Sequence, residues 1–193
     1  MNVLIVSEDP RLDKYALLPI IRAAMAAAGK PRAKVAIDES SRTKGVDHLL
    51  APSNLARLIR IYPSVHLFLV VVDRDCDTGR RSTLDRLEHD AGRALKPGRK
   101  VICAEAWEEL EVWILAGLDL PQGMTFSALR ADCHPKERYF DPVVRQRRLE
   151  LTPGRRRQPL AIEAVRRYRQ MVSRCRPDLG TLETRIREFC ASR

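Results

Sequence analysis

The chain has 193 residues, with 35 Lys and Arg against 25 Asp and Glu, for a formal net charge of +10 at pH 7. This length suits one domain, or one domain with an appendage, and no run approaches the ~20 apolar residues that a membrane span needs. The opening MNVLIVSEDP lacks a basic flank and a cleavage site, so it reads as a first strand and not as a signal peptide. The five cysteines (Cys76, Cys103, Cys133, Cys175 and Cys190) are odd in number and form no C-x-x-C pair. They predict reduced thiols in a cytoplasmic protein, with no disulfide frame and no structural zinc site. Cys133-His134 could ligate zinc, but no second pair exists in the sequence to complete such a site.

Residues 2–6 (NVLIV) predict a buried strand, followed by a helix from about Asp13 to Ala28 with Leu17, Ile20, Ile21, Ala24 and Ala28 on one face. Pro19 predicts a kink or the helix's true start, and Gly29-Lys30-Pro31 stops it. Residues 33–37 form a second strand, 38–52 a polar loop, and Ser53 or Asn54 caps a helix through Arg60. Val65–Val72 is an apolar, β-branched run typical of a strand buried on both faces. A helix from about Ser82 to Leu95 and a Pro97-Gly98 turn follow. A fourth strand covers 100–104, and a helix over 107–117 stops at Gly117. Strands alternating with helices predict an α/β fold around a mostly parallel sheet.

After Pro121 the character changes. Residues 132–160 hold four prolines and many arginines and predict loops with short turns. Two amphipathic helices follow, one with Ile162, Val165, Tyr168, Met171, Val172 and Cys175 on its stripe, the other with Leu182, Ile186 and Phe189. The division is therefore an α/β domain over 1–120 and a basic loop-and-helix extension over 121–193, packed on the same core. Residues 1–120 carry 18 Lys and Arg against 17 Asp and Glu, and residues 121–193 carry 17 against 8. A basic surface beside an acidic site suits a polyanion-processing enzyme.

The third strand runs into VVDRDCD, with Asp73, Asp75 and Asp77 at alternate positions. In an extended chain these acids project to one side, at the strand end where ligands of parallel sheets gather. A calcium loop counted from Asp73 would need Gly at position 78 and Glu at position 84, where Thr78 and Leu84 stand. Glu8 and Asp9 follow the first strand, and Glu105, Glu108, Glu109 and Glu111 follow the fourth. All these strand ends share one edge of a parallel sheet, so the carboxylates can meet there. Hard oxygen ligands suit Mg²⁺ or Mn²⁺.

At these residues the chain resembles the TOPRIM superfamily, in which a glutamate follows the first strand and a D-x-D a later one, here Glu8 and Asp73-Arg74-Asp75. It is most similar to the small bacterial TOPRIM-like proteins of uncharacterised function, often encoded beside ATPases and suspected in defence against phage. Their V-E-D-x-L-S-E opening maps onto Glu8, Asp9 and, with one inserted residue, Asp13. Their E-x-F-E-A-W-L-L-A helix maps onto Glu108, Glu111, Trp113 and Leu115. The likeness spans roughly residues 2–118 and extends loosely through 134–140. Pro10 and an arginine-rich segment stand where relatives carry a Gly or a tyrosine–lysine element.

The resemblance implies a TOPRIM-like (Rossmannoid) fold and metal-dependent cleavage of DNA or RNA, working with an ATPase partner. Asp73, Asp75, Asp77, Glu8, Asp9, Glu108 and Glu111 are the implied metal ligands. Glu8, Asp73, Asp75 and Glu111 are the implied catalytic groups. Lys136, Arg138, Arg155, Arg156 and Arg157 are the expected nucleic-acid contacts. The alternative is a non-catalytic regulatory subunit that binds nucleic acid or a partner, and a homo-oligomer stays open. A phosphoacceptor receiver lacks its Ser or Thr after the fourth strand, and no G-x-x-x-x-G-K or G-x-G-x-x-G is present. Trp113, among Leu110, Ile114 and Leu115, is expected in the core.

Overall fold

The computed structural model describes residues 1–40, 45–152, 154 and 156–192. Four parallel strands, β1 (Asn2–Val6), β2 (Lys34–Ile37), β3 (Leu67–Asp73) and β4 (Lys100–Ala106), form one sheet in the order β2-β1-β3-β4. The all-apolar β3 run has a clear cause, since the strand lies between β1 and β4 and is sealed on both faces. The edge strand β2 has one buried residue, Val35, in four.

Alternation sorts the strand side chains between two apolar layers. Val3, Ile5, Leu67, Leu69, Val71, Ile102 and Ala104 face a large cluster built with α1 (Pro10–Ala27), α5 (Leu110–Ala116) and the C-terminal helices. Leu4, Val6, Phe68, Val70, Val72, Val101 and Cys103 face a smaller one with α2 (Val46–Leu49), α3 (Pro52–Ile61) and α4 (Arg80–Ala94). The protein is thus α/β, an all-parallel sheet between helical layers, with a helical C-terminal region in the same core. Trp113 is fully buried, as its apolar neighbours predict.

Several boundaries move, for local reasons. The first helix begins at Pro10, because the Asp9 side chain caps the Leu12 N–H and proline fits the first turn. Pro19 lies inside that helix. A short helix, α2, interrupts the polar 38–52 stretch. Residues expected as loop over 132–160 hold a π-helical turn, Lys136–Phe140, and α7 (Asp141–Gln146), after α6 (Phe126–Arg130). The stripe expected over 162–175 belongs to two helices, α8 (Arg157–Ala164) and α9 (Tyr168–Arg174), joined by a 3₁₀ turn. The last helix, α10, spans Thr181–Ala191.

Gly117 ends α5 where α8 crosses most closely. A Cβ there would sit 2.5 Å from the Ala164 carbonyl oxygen and 2.7 Å from its Cα. Gly117→Ala should therefore cost about 1–3 kcal/mol by overpacking. Gly92→Ala, in open space on exposed α4, should instead stabilise by about 0.5 kcal/mol. Chemical denaturation of the two variants reads both signs, and a neutral Gly117→Ala would contradict the close crossing.

Candidate active site

The strand order changes direction between β1 and β3, since β1 leads outward to β2 and β3 leads outward to β4. Such a switch point, at the carboxyl ends of the strands, is where open α/β sheets bind ligands. Glu8 follows β1 and Asp73 ends β3, so the expected acids flank this crevice.

The turn after β3 differs from the extended run expected of it. Asp75 and Cys76 adopt left-handed backbone, with φ of 52° and 55°, so the chain folds back before Asp77. Asp77 instead accepts from the Gly79 N–H at 2.8 Å and lies 3.6 Å from Arg80, and so tightens the entry to α4. Left-handed conformation costs a non-glycine residue roughly 1–2 kcal/mol. Glu108 offsets that cost here: its carboxylate receives the Cys76 N–H at 2.6 Å and pairs with Arg74 at 3.3 Å, while its carbonyl receives the Asp75 N–H. Glu108, expected as a ligand beside Glu111, is occupied with building the turn. Asp9 is likewise occupied as the cap of α1.

Four carboxylates remain around the crevice, and a fifth joins them. Asp73 Oδ1 accepts the Leu110 N–H at 2.8 Å, one of the orphan donors at the start of α5. Even so, the Asp73 carboxyl is held well above the usual aspartate range, first by burial, then by Glu111, Asp13 and Asp75, with Arg157 opposing. Asp13 is also raised, by burial, against the pull of Arg157 and of the Asp9 N–H. Burial, and then Asp75 and Asp13, raise Glu8. Burial also raises Asp75 despite Arg80 and Lys136 nearby. Glu111 is 1% exposed, and its Oε2 has no hydrogen-bond partner.

Arg157, expected on a nucleic-acid surface, is buried among these acids. Its Nη1 donates to Asp13 Oδ1 at 2.9 Å, and its Nε and Nη2 lie 2.8 and 2.7 Å from Glu111 Oε1. The cause is helical spacing: Arg157 shares the inward stripe of α8 with Leu160, Ala161 and Ala164. One guanidinium thus faces Asp13, Asp73 and Glu111.

The other expected cations divide. Arg138 pairs with Asp132 and Arg156 with Asp141, while Arg155 lies outside the described residues. Lys136 faces the acids, lowering both Asp75 and Glu109. Two further groups went unselected from sequence. Arg80, buried at the start of α4, pulls Glu8, Asp75 and Glu105 down. Glu109, which accepts the Lys136 N–H at 2.7 Å, is raised to about 7, mainly by burial.

The expectation of reduced thiols is corrected at one pair. Cys76 and Cys133 form a disulfide, their Cα atoms 5.6 Å apart, which ties the β3 turn to the segment after α6. Cysteines 57 residues apart carry no spacing signal, and only the fold brings them within bridging distance. Closing such a loop stabilises by about 4 kcal/mol on the chain-entropy account. Cys103, Cys175 and Cys190 are free and buried.

Among the described residues, the group able to hold a metal with all ligand atoms within 4.8 Å of one another is Cys76, Glu108 and Cys133, its two cysteines joined by the disulfide. No three of the rim carboxylates meet that distance.

No family model matches the chain, and no curated protein or solved structure is significantly similar to it. Among the described residues, no helix is long and apolar enough to cross a membrane.

Two outcomes follow from the buried charges. Arg157→Met leaves Asp13 and Glu111 without their cation and should cost about 3–5 kcal/mol at pH 7. That loss should shrink on acidification, as protonation of Asp13 removes uncompensated charge. Denaturant titrations at pH 5 and pH 7 measure both, and an unchanged stability would contradict the buried clamp. Glu109 gives the second outcome. Its folded value is raised from 4.5 to about 7, so the folded chain binds more protons than the unfolded one between those limits. Its contribution is present below the lower limit and is lost as pH rises through the upper. The full shift corresponds to about 3 kcal/mol, and screening of this half-exposed group leaves on the order of 1 kcal/mol. Glu109→Gln should flatten the stability profile between pH 5 and pH 8 by that amount.

Proposed function

We propose that the acidic rim is the Mg²⁺ or Mn²⁺ site of an enzyme that cleaves nucleic-acid phosphodiesters. One observation carries this reading: at the β1/β3 switch point Asp13, Asp73 and Glu111 face a single guanidinium, with Asp75 and Glu8 adjoining. An excess of buried carboxylate over cation is costly unless a proton or a further cation balances it.

The donor set fits the proposed ion. It consists of carboxylate oxygens, the ligands of hard divalent cations, and it includes the orphaned, buried Glu111 Oε2. Asp73 and Glu111 would hold the ion, with Asp75 on the solvent side. A bound ion would supply Lewis-acid polarisation of the phosphoryl oxygens. Glu8, partly buried and raised above the ordinary glutamate value by that burial, suits a general base for the attacking water. Asp13 and Arg157 position Glu111, and Arg80 and Lys136 suit the charge that builds on phosphate. DNA or RNA is the proposed substrate and an ATPase the proposed partner, in the phage-defence setting that the TOPRIM-like resemblance implies.

A second reading has its own observation. Arg157 already bridges Asp13 and Glu111, and the rim oxygens are not gathered as a closed ligand set. A binding or regulatory subunit would need no more than that.

A Mn²⁺ titration followed by cleavage assays separates the two. At about 100 times the dissociation constant, bound Mn²⁺ should stabilise the fold by ~2.7 kcal/mol, and Asp73→Asn should abolish that gain. Cleavage of single- or double-stranded DNA, or of RNA, should need the ion and fall at least a hundredfold in the same variant. An unchanged melting temperature would contradict the metal site. A shift without turnover, with an ATPase partner present, would favour the regulatory subunit.

A further inference from the structure

The sulfurs of Cys76 and Cys133 and a carboxylate oxygen of Glu108 gather within 4.8 Å at the edge of the turn after β3. We infer that, once the disulfide is reduced, these three residues bind a thiophilic divalent ion of the Zn²⁺ class, which takes over the staple between the β3 turn and the segment after α6. The site is distinct from the carboxylate rim in ligands and in metal class.

A dithiol reductant gives two electrons and two protons to the Cys76–Cys133 bond and closes its own disulfide. The ion then displaces the two thiol protons, and each thiolate gives an electron pair to the metal. A tetrahedral zinc site with bonds of about 2.3 Å needs its sulfurs roughly 3.8 Å apart. The Cα atoms stand 5.6 Å apart, and rotation of a freed cysteine side chain would move its sulfur toward that spacing.

Glu108 gives this site its third ligand. Its side chain is buried, at 3% residue exposure, and is oriented by the Cys76 N–H and by Arg74. Outer hydrogen bonds of this kind hold ligands of bound metals in place. Two thiolates and a carboxylate carry three negative charges. The ion and Arg74, itself stacked 3.9 Å over the Trp107 ring, bring the total to zero. Of the five non-glycine residues with positive φ among those described, Asp75, Cys76 and Glu108 fall in this small region. Backbone strain of this sort concentrates where a binding site over-determines the chain. Water would fill the fourth position.

The probe is Co²⁺, whose bonds to thiolates absorb strongly. The full chain is reduced with a dithiol, freed of it without air, and titrated with Co²⁺ and then Zn²⁺. One Co²⁺ per chain should bind with a thiolate charge-transfer band, and Zn²⁺ should displace it. Zn²⁺ should also restore most of the melting temperature lost on reduction. Oxidised wild-type protein should show no band, and Cys133→Ser should lose it. Glu108→Gln should keep a band but bind Co²⁺ at least tenfold more weakly. Asp73→Asn should leave the thiolate charge-transfer band unchanged, so failure of the carboxylate rim and failure of this site read differently. No band in the reduced wild type would overturn the inference. So would an equal band in the Cys76→Ser/Cys133→Ser variant, because it would arise from Cys103, Cys175 or Cys190.

Discussion

The ion triad of Asp13, Arg157 and Glu111 is the interaction on which the rest of the acidic rim depends. It joins the first turns of α1, α8 and α5, three helices that pack on the same face of the sheet. Ion pairs removed from water gain little net stability, because desolvation offsets most of the attraction. Their force is in what they forbid. With Arg157 absent, the carboxylates of Asp13 and Glu111 could not stay buried and charged side by side, and Asp73 could not stay beside them. The arginine therefore sets the shape of the crevice whether or not a metal enters it.

The turn after β3 meets the same need by another route. Its left-handed residues would be unstable alone, and the buried carboxylate of Glu108, the Arg74 guanidinium and the disulfide hold them in place. Asp178 has a similar office on the α9–α10 side: it accepts from the Trp107 N–H, the Trp113 Nε1–H and Arg130, pinning the segment after β4 to the C-terminal helices. Acids in this protein are as often structural anchors as candidates for chemistry. The difference is satisfaction. Asp178 has donors on both carboxylate oxygens, whereas Glu111 Oε2 has none.

The layered sheet was legible because its signals are local. The Val65–Val72 run, the alternation after β1 and the glycine stops each follow from residues within one element. The meeting of acids at one sheet edge was legible too, since parallel strands share an end. The roles of individual carboxylates were not, because a D-x-D-x-D run reads as extended until Glu108, more than thirty residues on, bends it. Two clues to the triad do lie in the sequence. Asp9-Pro10 marks a helix start, and that start puts Asp13 on the stripe of Leu17, Ile20 and Ala24. Arg157 precedes Leu160, Ala161 and Ala164 by helical spacing, so a helix begun there turns it inward. The Cys76–Cys133 bond had no such clue.

Arg157 and Asp13 are separated by 144 residues of chain. During synthesis, then, the sheet can be complete while its acidic edge still lacks the arginine that makes burial of those acids tolerable. The nascent rim stays hydrated and open until α8 is made, since that helix brings the arginine that closes it. A product cut short before α8 would never acquire the crevice. Synthesis of α8 is thus itself a checkpoint on assembly of the site.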